Sequence, residues 1–186
     1  MADDTSRALA DDPSPATRVI VVGAGPVGLF LAGELRLGGA DVVVLERLRT
    51  PTTESRASTL HARTAELFDC RGLLDALGDP PREPRGHFGG VPMDLTMPGP
   101  YSGQWKVPQT RTEELLQDWA GALGADVRRG WEVRELVQED GYVEVTADTP
   151  DGVRRLRAAY AVACDGEDST VRRLTGAAFP GTPAGR

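Results

Sequence analysis

Lysine is almost missing from this chain. Lys106 is the only lysine in 186 residues, so arginine carries nearly all of the 21 basic side chains. Against 28 acidic residues this leaves a formal net charge of −7. The chain therefore has no surplus positive charge with which to hold nucleic acid or an anionic membrane surface. Cysteine is scarce too. Cys70 and Cys164 are the two present; they fit no metal or disulfide spacing and read as reduced thiols of a cytoplasmic protein. His61 and His87, the two histidines, have no catalytic partner in the sequence and read as structural. No metal-ligand set and no protein nucleophile stands out, so catalytic residues stay unassigned. Long apolar runs are absent: Ala158–Cys164, the longest, has seven residues, strand-sized and far below the ~20 needed to span a bilayer. The acidic start, Met1-Ala2-Asp3-Asp4, lacks the apolar stretch of a secretory signal.

What the chain has is glycine and proline, 22 and 14 residues, set between short apolar segments. An apolar fraction of 40% and a charged fraction of 26% are those of a globular domain long enough to bury a core. Residues 1–16, polar with Pro13 and Pro15, are expected to be a disordered leader, and 17–186 one domain. Arg18–Val22 reads as a buried parallel strand, Leu29–Leu37 as a helix closing at Gly38-Gly39, and Asp41–Glu46 as a second strand, making one βαβ unit. Leu60–Leu74 reads as a helix. Asp79–Pro100 is rich in turns. Thr112–Leu123 reads as an amphipathic helix with Thr112 as N-cap and Leu115, Leu116, Trp119 and Leu123 inward. Trp131–Leu136, Tyr142–Thr146 and Val153–Arg157, with turns at Gly141 and Asp151-Gly152, predict an antiparallel meander. Tyr160–Cys164 reads as a return to a buried strand and Ser169–Leu174 as a short helix. The fold class is α/β: a Rossmann-like parallel sheet with a β-meander.

Two motifs carry chemistry. Gly23-Ala24-Gly25-Pro26-Val27-Gly28 follows a strand and opens a helix. Gly23 permits the tight turn, Gly25 lets backbone approach a pyrophosphate, and Gly28 lets helix pack on strand. The helix N-terminus adds N–H groups and a positive dipole end. Glu46, roughly 20 residues on, is placed to accept from ribose hydroxyls and to repel a 2′-phosphate, so the loop suits FAD or NAD over NADP without separating those two. Without ligand the same residues would be a glycine-rich turn and a solvated strand end. The second motif is Cys164-Asp165-Gly166-Glu167-Asp168-Ser169-Thr170-Val171-Arg172. Asp165 could accept from ribityl hydroxyls, with the next helix start adding donors near a diphosphate. A plain Asp-Gly turn capped by Ser169 explains these residues equally well.

In this order and spacing the two motifs resemble the N-terminal part of the group A FAD-dependent aromatic monooxygenases, the para-hydroxybenzoate hydroxylase type. The likeness runs from about Val19 to Pro183. Gly33-Glu34-Leu35-Arg36, Glu46-Arg47-Leu48, Glu54-Ser55-Arg56, Gly86-His87-Phe88-Gly89-Gly90, Val107-Pro108-Gln109, Gly124-Ala125-Asp126, Arg129-Gly130 and Phe179-Pro180-Gly181-Thr182 look closest to the aromatic polyketide hydroxylases of antibiotic biosynthesis. The resemblance implies a bound FAD held at Gly23, Gly25, Pro26, Val27 and Gly28, with Glu46 and Arg47 at the adenosine ribose. Arg56 would approach the flavin end and Gln109 the ribityl region. Val133 would lie near the adenine, although plain core explains it nearly as well. Asp165 and Gly166 would serve the ribityl–pyrophosphate segment.

The resemblance further implies NADPH or NADH as reductant, dioxygen as co-substrate, and hydroxylation of a phenolic or aromatic polyketide substrate through a flavin hydroperoxide. Baeyer–Villiger insertion is known for the same first domain and stays open. The family's third flavin motif, a Gly-Asp followed by small residues, has no counterpart, since Gly78-Asp79 runs into Pro80-Pro81. The expectation is thus an incomplete three-layer FAD/NAD(P)-binding fold, inactive alone, from a longer enzyme. An NAD-dependent dehydrogenase and a non-catalytic nucleotide-binding module paired with a second polypeptide are the competing readings. The tryptophan-halogenase type lacks support, because Trp105, Trp119 and Trp131 form no close pair.

Overall fold

The structure, a computed structural model, describes residues 18–53, 55 and 57–182. The leader expected over 1–16 lies outside these residues, as does Arg56. In chain order the elements are β1 (Arg18–Val22), α1 (Pro26–Leu37), β2 (Asp41–Glu46), β3 (Leu60–His61), α2 (Ala62–Asp69), α3 (Leu74–Leu77), β4 (Arg82–Glu83), β5 (Arg85–Phe88) and β6 (Val91–Asp94). Then follow β7 (Gln104–Trp105), α4 (Gln109–Ala122), β8 (Asp126–Arg129), β9 (Glu132–Glu139), β10 (Tyr142–Thr149), β11 (Gly152–Ala158), β12 (Tyr160–Ala163) and α5 (Thr170–Leu174). They fall into two compact units, one formed by the chain up to Thr50 together with Ala120 onward, the other by Pro51–Trp119.

The first unit has three layers. Its middle layer is a parallel sheet in the order β12-β1-β2-β8. Successive side chains on a strand face opposite sides, so β1 and β2 must be apolar on both. Ile20, Val22, Val43 and Leu45 join Val133, Val143, Val145, Leu156, Ala158 and Val171 in one core cluster. The other register, Val19, Val21, Val42 and Val44, is equally buried and takes the face on which α1 packs, with Leu29 and Ala32 of α1 fully buried. Each such side chain contributes roughly 1.5–3 kcal/mol by leaving water. The third layer is the meander, in the order β11-β10-β9, antiparallel throughout. Its turns use Gly141 at φ +86° and Gly152 at φ +101°, a region open to glycine.

The second unit holds a small sheet, β3-β7-β4, and a β5-β6 hairpin. Its core is Ala65, Trp105 and Val107 with Leu60, Leu74, Leu77 and Tyr101. The Arg82 guanidinium lies 3.9 Å from the Trp105 ring centroid. His61 and His87 are exposed on β3 and β5.

Three expectations need correction. The helix read over Leu60–Leu74 is divided: Leu60 and His61 pair with Trp105 and Gln104 as β3, and the chain turns at Gly72, φ +67°, before α3. Thr112 does not cap α4. The helix opens at Gln109, and the Thr112 N–H already donates to the Pro108 carbonyl at 3.1 Å, so Thr112 sits one turn inside and buried. The third concerns Tyr160–Cys164. β12 is an edge strand of the described sheet, with Tyr160 69% exposed and its neighbours only half-buried or exposed.

Candidate functional site

The glycine loop is built into the first unit from both ends. The Gly23 N–H donates to the Leu45 carbonyl at 2.8 Å, which carries the β1–β2 pairing into the loop. Gly23 has φ +105°, and a Cβ there would sit 2.5 Å from the Cys164 carbonyl oxygen. A Cβ on Gly28 would sit 2.0 Å from the Gly23 oxygen. Both positions must therefore be glycine for the fold itself, and Gly23 lets the loop meet the strand end at Cys164-Asp165. Gly25 differs. Its φ is −77°, which any residue adopts, and a Cβ would meet nothing within 4 Å. It lines open space at the start of α1, where it supplies no side-chain cap and Pro26 follows. The first-turn N–H groups are thus left to partners outside the helix. Val27 is exposed there and Pro26 half-buried.

Glu46 closes the loop from the other side. Its Oε2 accepts from the Ala24 N–H at 2.8 Å and its Oε1 from the Leu48 N–H at 2.8 Å. Each oxygen keeps acceptor capacity for a hydroxyl. Arg47 beside it is exposed. Sequence reasoning gave Glu46 only an outward role; its grip on Ala24 needed the strand end and the loop in one place.

Asp165 is divided between two tasks. Its Oδ2 accepts from the N–H groups of Thr170 at 2.6 Å and Val171 at 3.1 Å. Ser169 Oγ accepts from the Arg172 N–H at 3.0 Å. The donors that α5 was expected to offer a diphosphate are therefore already taken by Asp165 and Ser169. The other carboxylate oxygen, Oδ1, is buried and has no partner among the described residues. A buried acceptor left so is costly, about 1–3 kcal/mol, and suits an incoming hydroxyl donor. Gly166, at φ +82° with open space around it, lets the chain turn beside it. The neighbouring Cys164 thiol is pushed up by burial and, less, by the Asp165 charge, which makes it a poor nucleophile.

Val133 is 5% exposed and packed in the core cluster, so its side chain is spent on packing. Gln109 lies in the second unit, where its Nε2 donates to Glu113 Oε1 at 2.8 Å. Among the described residues no group of three or more His, Cys, Asp or Glu side chains is arranged to hold a metal, and no helix is long and apolar enough to cross a membrane.

An open glycine loop, an acid at the end of the second strand and a buried orphan acceptor at the neighbouring strand end fit a dinucleotide cofactor. Comparison with known proteins narrows the class: the chain belongs to the FAD binding domain family, whose model matches residues 16–185. It is 47% identical over 169 residues to 12-dehydrotetracycline 5-monooxygenase/anhydrotetracycline 6-monooxygenase of Streptomyces rimosus, covering 88% of this chain and 33% of that protein. It is 42% identical over 165 residues to dialkyldecalin synthase of Streptomyces rugosporus, covering 88% and 35%. Among solved structures, CabE, an aromatic hydroxylase from angucycline biosynthesis, superposes with a TM-score of 0.85 at 51% identity, covering 91% of this chain and 35% of that one. The likeness expected from the motifs, to aromatic hydroxylases of antibiotic biosynthesis, and the partial FAD-binding fold are thus both found. The chain spans about a third of the length of the curated relatives it matches.

Proposed function

We propose that this chain is the FAD-holding portion of a flavin-dependent monooxygenase that hydroxylates an aromatic, polyketide-type small molecule, with dioxygen as co-substrate and NADPH or NADH as reductant. The buried, unpartnered Oδ1 of Asp165 carries the reading, because it asks for a hydroxyl donor beside a loop shaped for a pyrophosphate. FAD, when bound, supplies the redox and oxygen chemistry. The chain's own residues bind and orient. Gly23, Gly25 and Gly28, with the start of α1 at Pro26 and Val27, hold the pyrophosphate. Glu46 and Arg47 take the adenosine ribose, and Val133 borders the adenine. Asp165 and Gly166 hold the ribityl–pyrophosphate segment, with Arg56 and Gln109 toward the flavin and ribityl end. The names of the tetracycline and angucycline relatives support the substrate class.

The test begins with flavin fluorescence and absorbance on the purified 186-residue chain. FAD should bind with quenching, and Asp165→Ala should weaken it; binding of NAD without any flavin overturns the reading. A second reading is favoured by the dialkyldecalin synthase relative: the same fold can serve a ring-forming enzyme. In the whole protein a monooxygenase oxidises NAD(P)H and consumes dioxygen with its substrate. A synthase that keeps FAD without turnover of either would replace the hydroxylase reading.

A further inference from the structure

We infer that Glu113 is a positioning residue that fixes the side-chain amide of Gln109, turning its carbonyl oxygen outward as acceptor for a hydroxyl of the bound flavin's polyol chain. This rests on the proposed role of Gln109 at the ribityl end of FAD and names the residue that sets its amide.

Gln109 is held at both ends. It opens α4, and its backbone N–H donates to the Ala57 carbonyl at 3.0 Å and to Ser55 Oγ at 3.1 Å. Its side-chain Nε2 donates to Glu113 Oε1 at 2.8 Å, one helical turn on. Glu113 is 6% exposed. A carboxylate is rarely buried that far without a partner, since leaving water costs more than ordinary packing returns. The Gln109 amide is the partner.

The pair has a fixed polarity. A carboxylate only accepts, so the amide must face it with nitrogen. Turning the amide over would press carbonyl oxygen against carboxylate oxygen and lose a charge-assisted hydrogen bond. Gln109 Oε1 is thereby committed away from Glu113. A phosphate offers acceptors and negative charge, so it gains nothing from this oxygen and is repelled by Glu113. A ribityl hydroxyl is a donor and fits. Gln109 Oε1 thus selects a hydroxyl over a phosphate oxygen.

FAD and ADP serve as the two probes on the 186-residue chain. ADP carries the pyrophosphate and adenosine without the ribityl chain. Glu113→Ala should weaken FAD about tenfold, the scale of one charge-assisted hydrogen bond, and leave ADP unchanged. Gln109→Ala should do the same, and the double variant should be no worse than either single one. Glu113→Gln keeps the shape and one acceptor, so it should recover part of the loss and guards against an alanine variant that fails to fold. In the ligand-free chain, the Gln109 side-chain NH₂ protons, followed by 15N NMR, should be protected from exchange, keep part of that protection in Glu113→Gln and lose it in Glu113→Ala. Additive losses, an equal effect on ADP, or amide protons indifferent to Glu113 overturn the inference. A parent chain that binds ADP and not FAD overturns the proposed function instead, and the amide protons then decide the Glu113–Gln109 contact alone.

Discussion

One methyl group sorts the glycines of the loop into two kinds. On Gly28 it would land 2.0 Å from a backbone oxygen, a contact that no side-chain movement relieves. Gly28→Ala should cost at least about 3 kcal/mol, the upper end of core overpacking, and register as a large loss of Tm. On Gly25 the methyl meets open space. Gly25→Ala should cost about 1 kcal/mol or less, the preference of a helix N-cap for glycine over alanine, while FAD affinity drops sharply. Chemical denaturation paired with flavin titration separates the two. If both variants lose stability equally, Gly25 is structural and the pyrophosphate does not lie there. A different residue-scale effect sits on the second unit, where the Tyr101 hydroxyl donates to the Asp69 carboxylate. That bond, with smaller help from desolvation and nearby negative charge, pushes the Tyr101 phenol up to about 12. A raised folded-state value means the bond's contribution is whole below about pH 10, the unfolded phenol value, and disappears as pH rises through about 12. Ultraviolet titration should show Tyr101 ionising late, and Asp69→Asn should bring it back toward about 10, the unfolded phenol value.

At the scale of elements, α5 shows how one carboxylate can cap a helix and still keep an oxygen without a protein partner among the described residues. Asp165 Oδ2 and Ser169 Oγ together take three N–H groups of its first turn. Ser169→Ala should cost about 1 kcal/mol in urea unfolding and leave FAD affinity nearly unchanged. Asp165→Ala should lose stability and affinity together. A Ser169→Ala variant that loses flavin as well would mean α5 itself touches the cofactor. The Ser169 cap was readable in the sequence because a cap is set by residues three apart, and β1, β2 and the meander were readable from their periods and turns. α4 was misread at its start. A threonine before an apolar run looks like a cap, but the first helical hydrogen bond runs from Thr112 back to Pro108. Leu60–Leu74 misled for a related reason: its apolar spacing suits a helix, yet Leu60 and His61 are held by pairing with Gln104 and Trp105, some forty residues away in sequence.

At the scale of the whole molecule, the layers explain why the site is legible at all. A sheet covered on one face by α1 and on the other by the meander buries both registers of β1 and β2, and so holds the strand ends that carry Gly23 and Glu46. If the chain holds FAD only when folded, excess FAD must raise its Tm, by the equivalent of about 2.7 kcal/mol at one hundred times Kd. A thermal scan that does not respond to FAD would count against cofactor binding by this chain. The sequence by itself determined the glycine loop, the acid at the end of the second strand and the Asp-Gly turn, because each is written in residues a few positions apart. Only the tertiary structure decided what those residues have left to offer. Glu46 spends one bond on Ala24 and one on Leu48, and Asp165 keeps a single oxygen without a partner among the described residues. Gly23 must be glycine because Cys164, remote in sequence, packs against it. A hydrogen-bond donor or an empty Cβ position between distant segments leaves no trace in local spacing, so what such residues have free for a cofactor becomes visible only when the chain is folded.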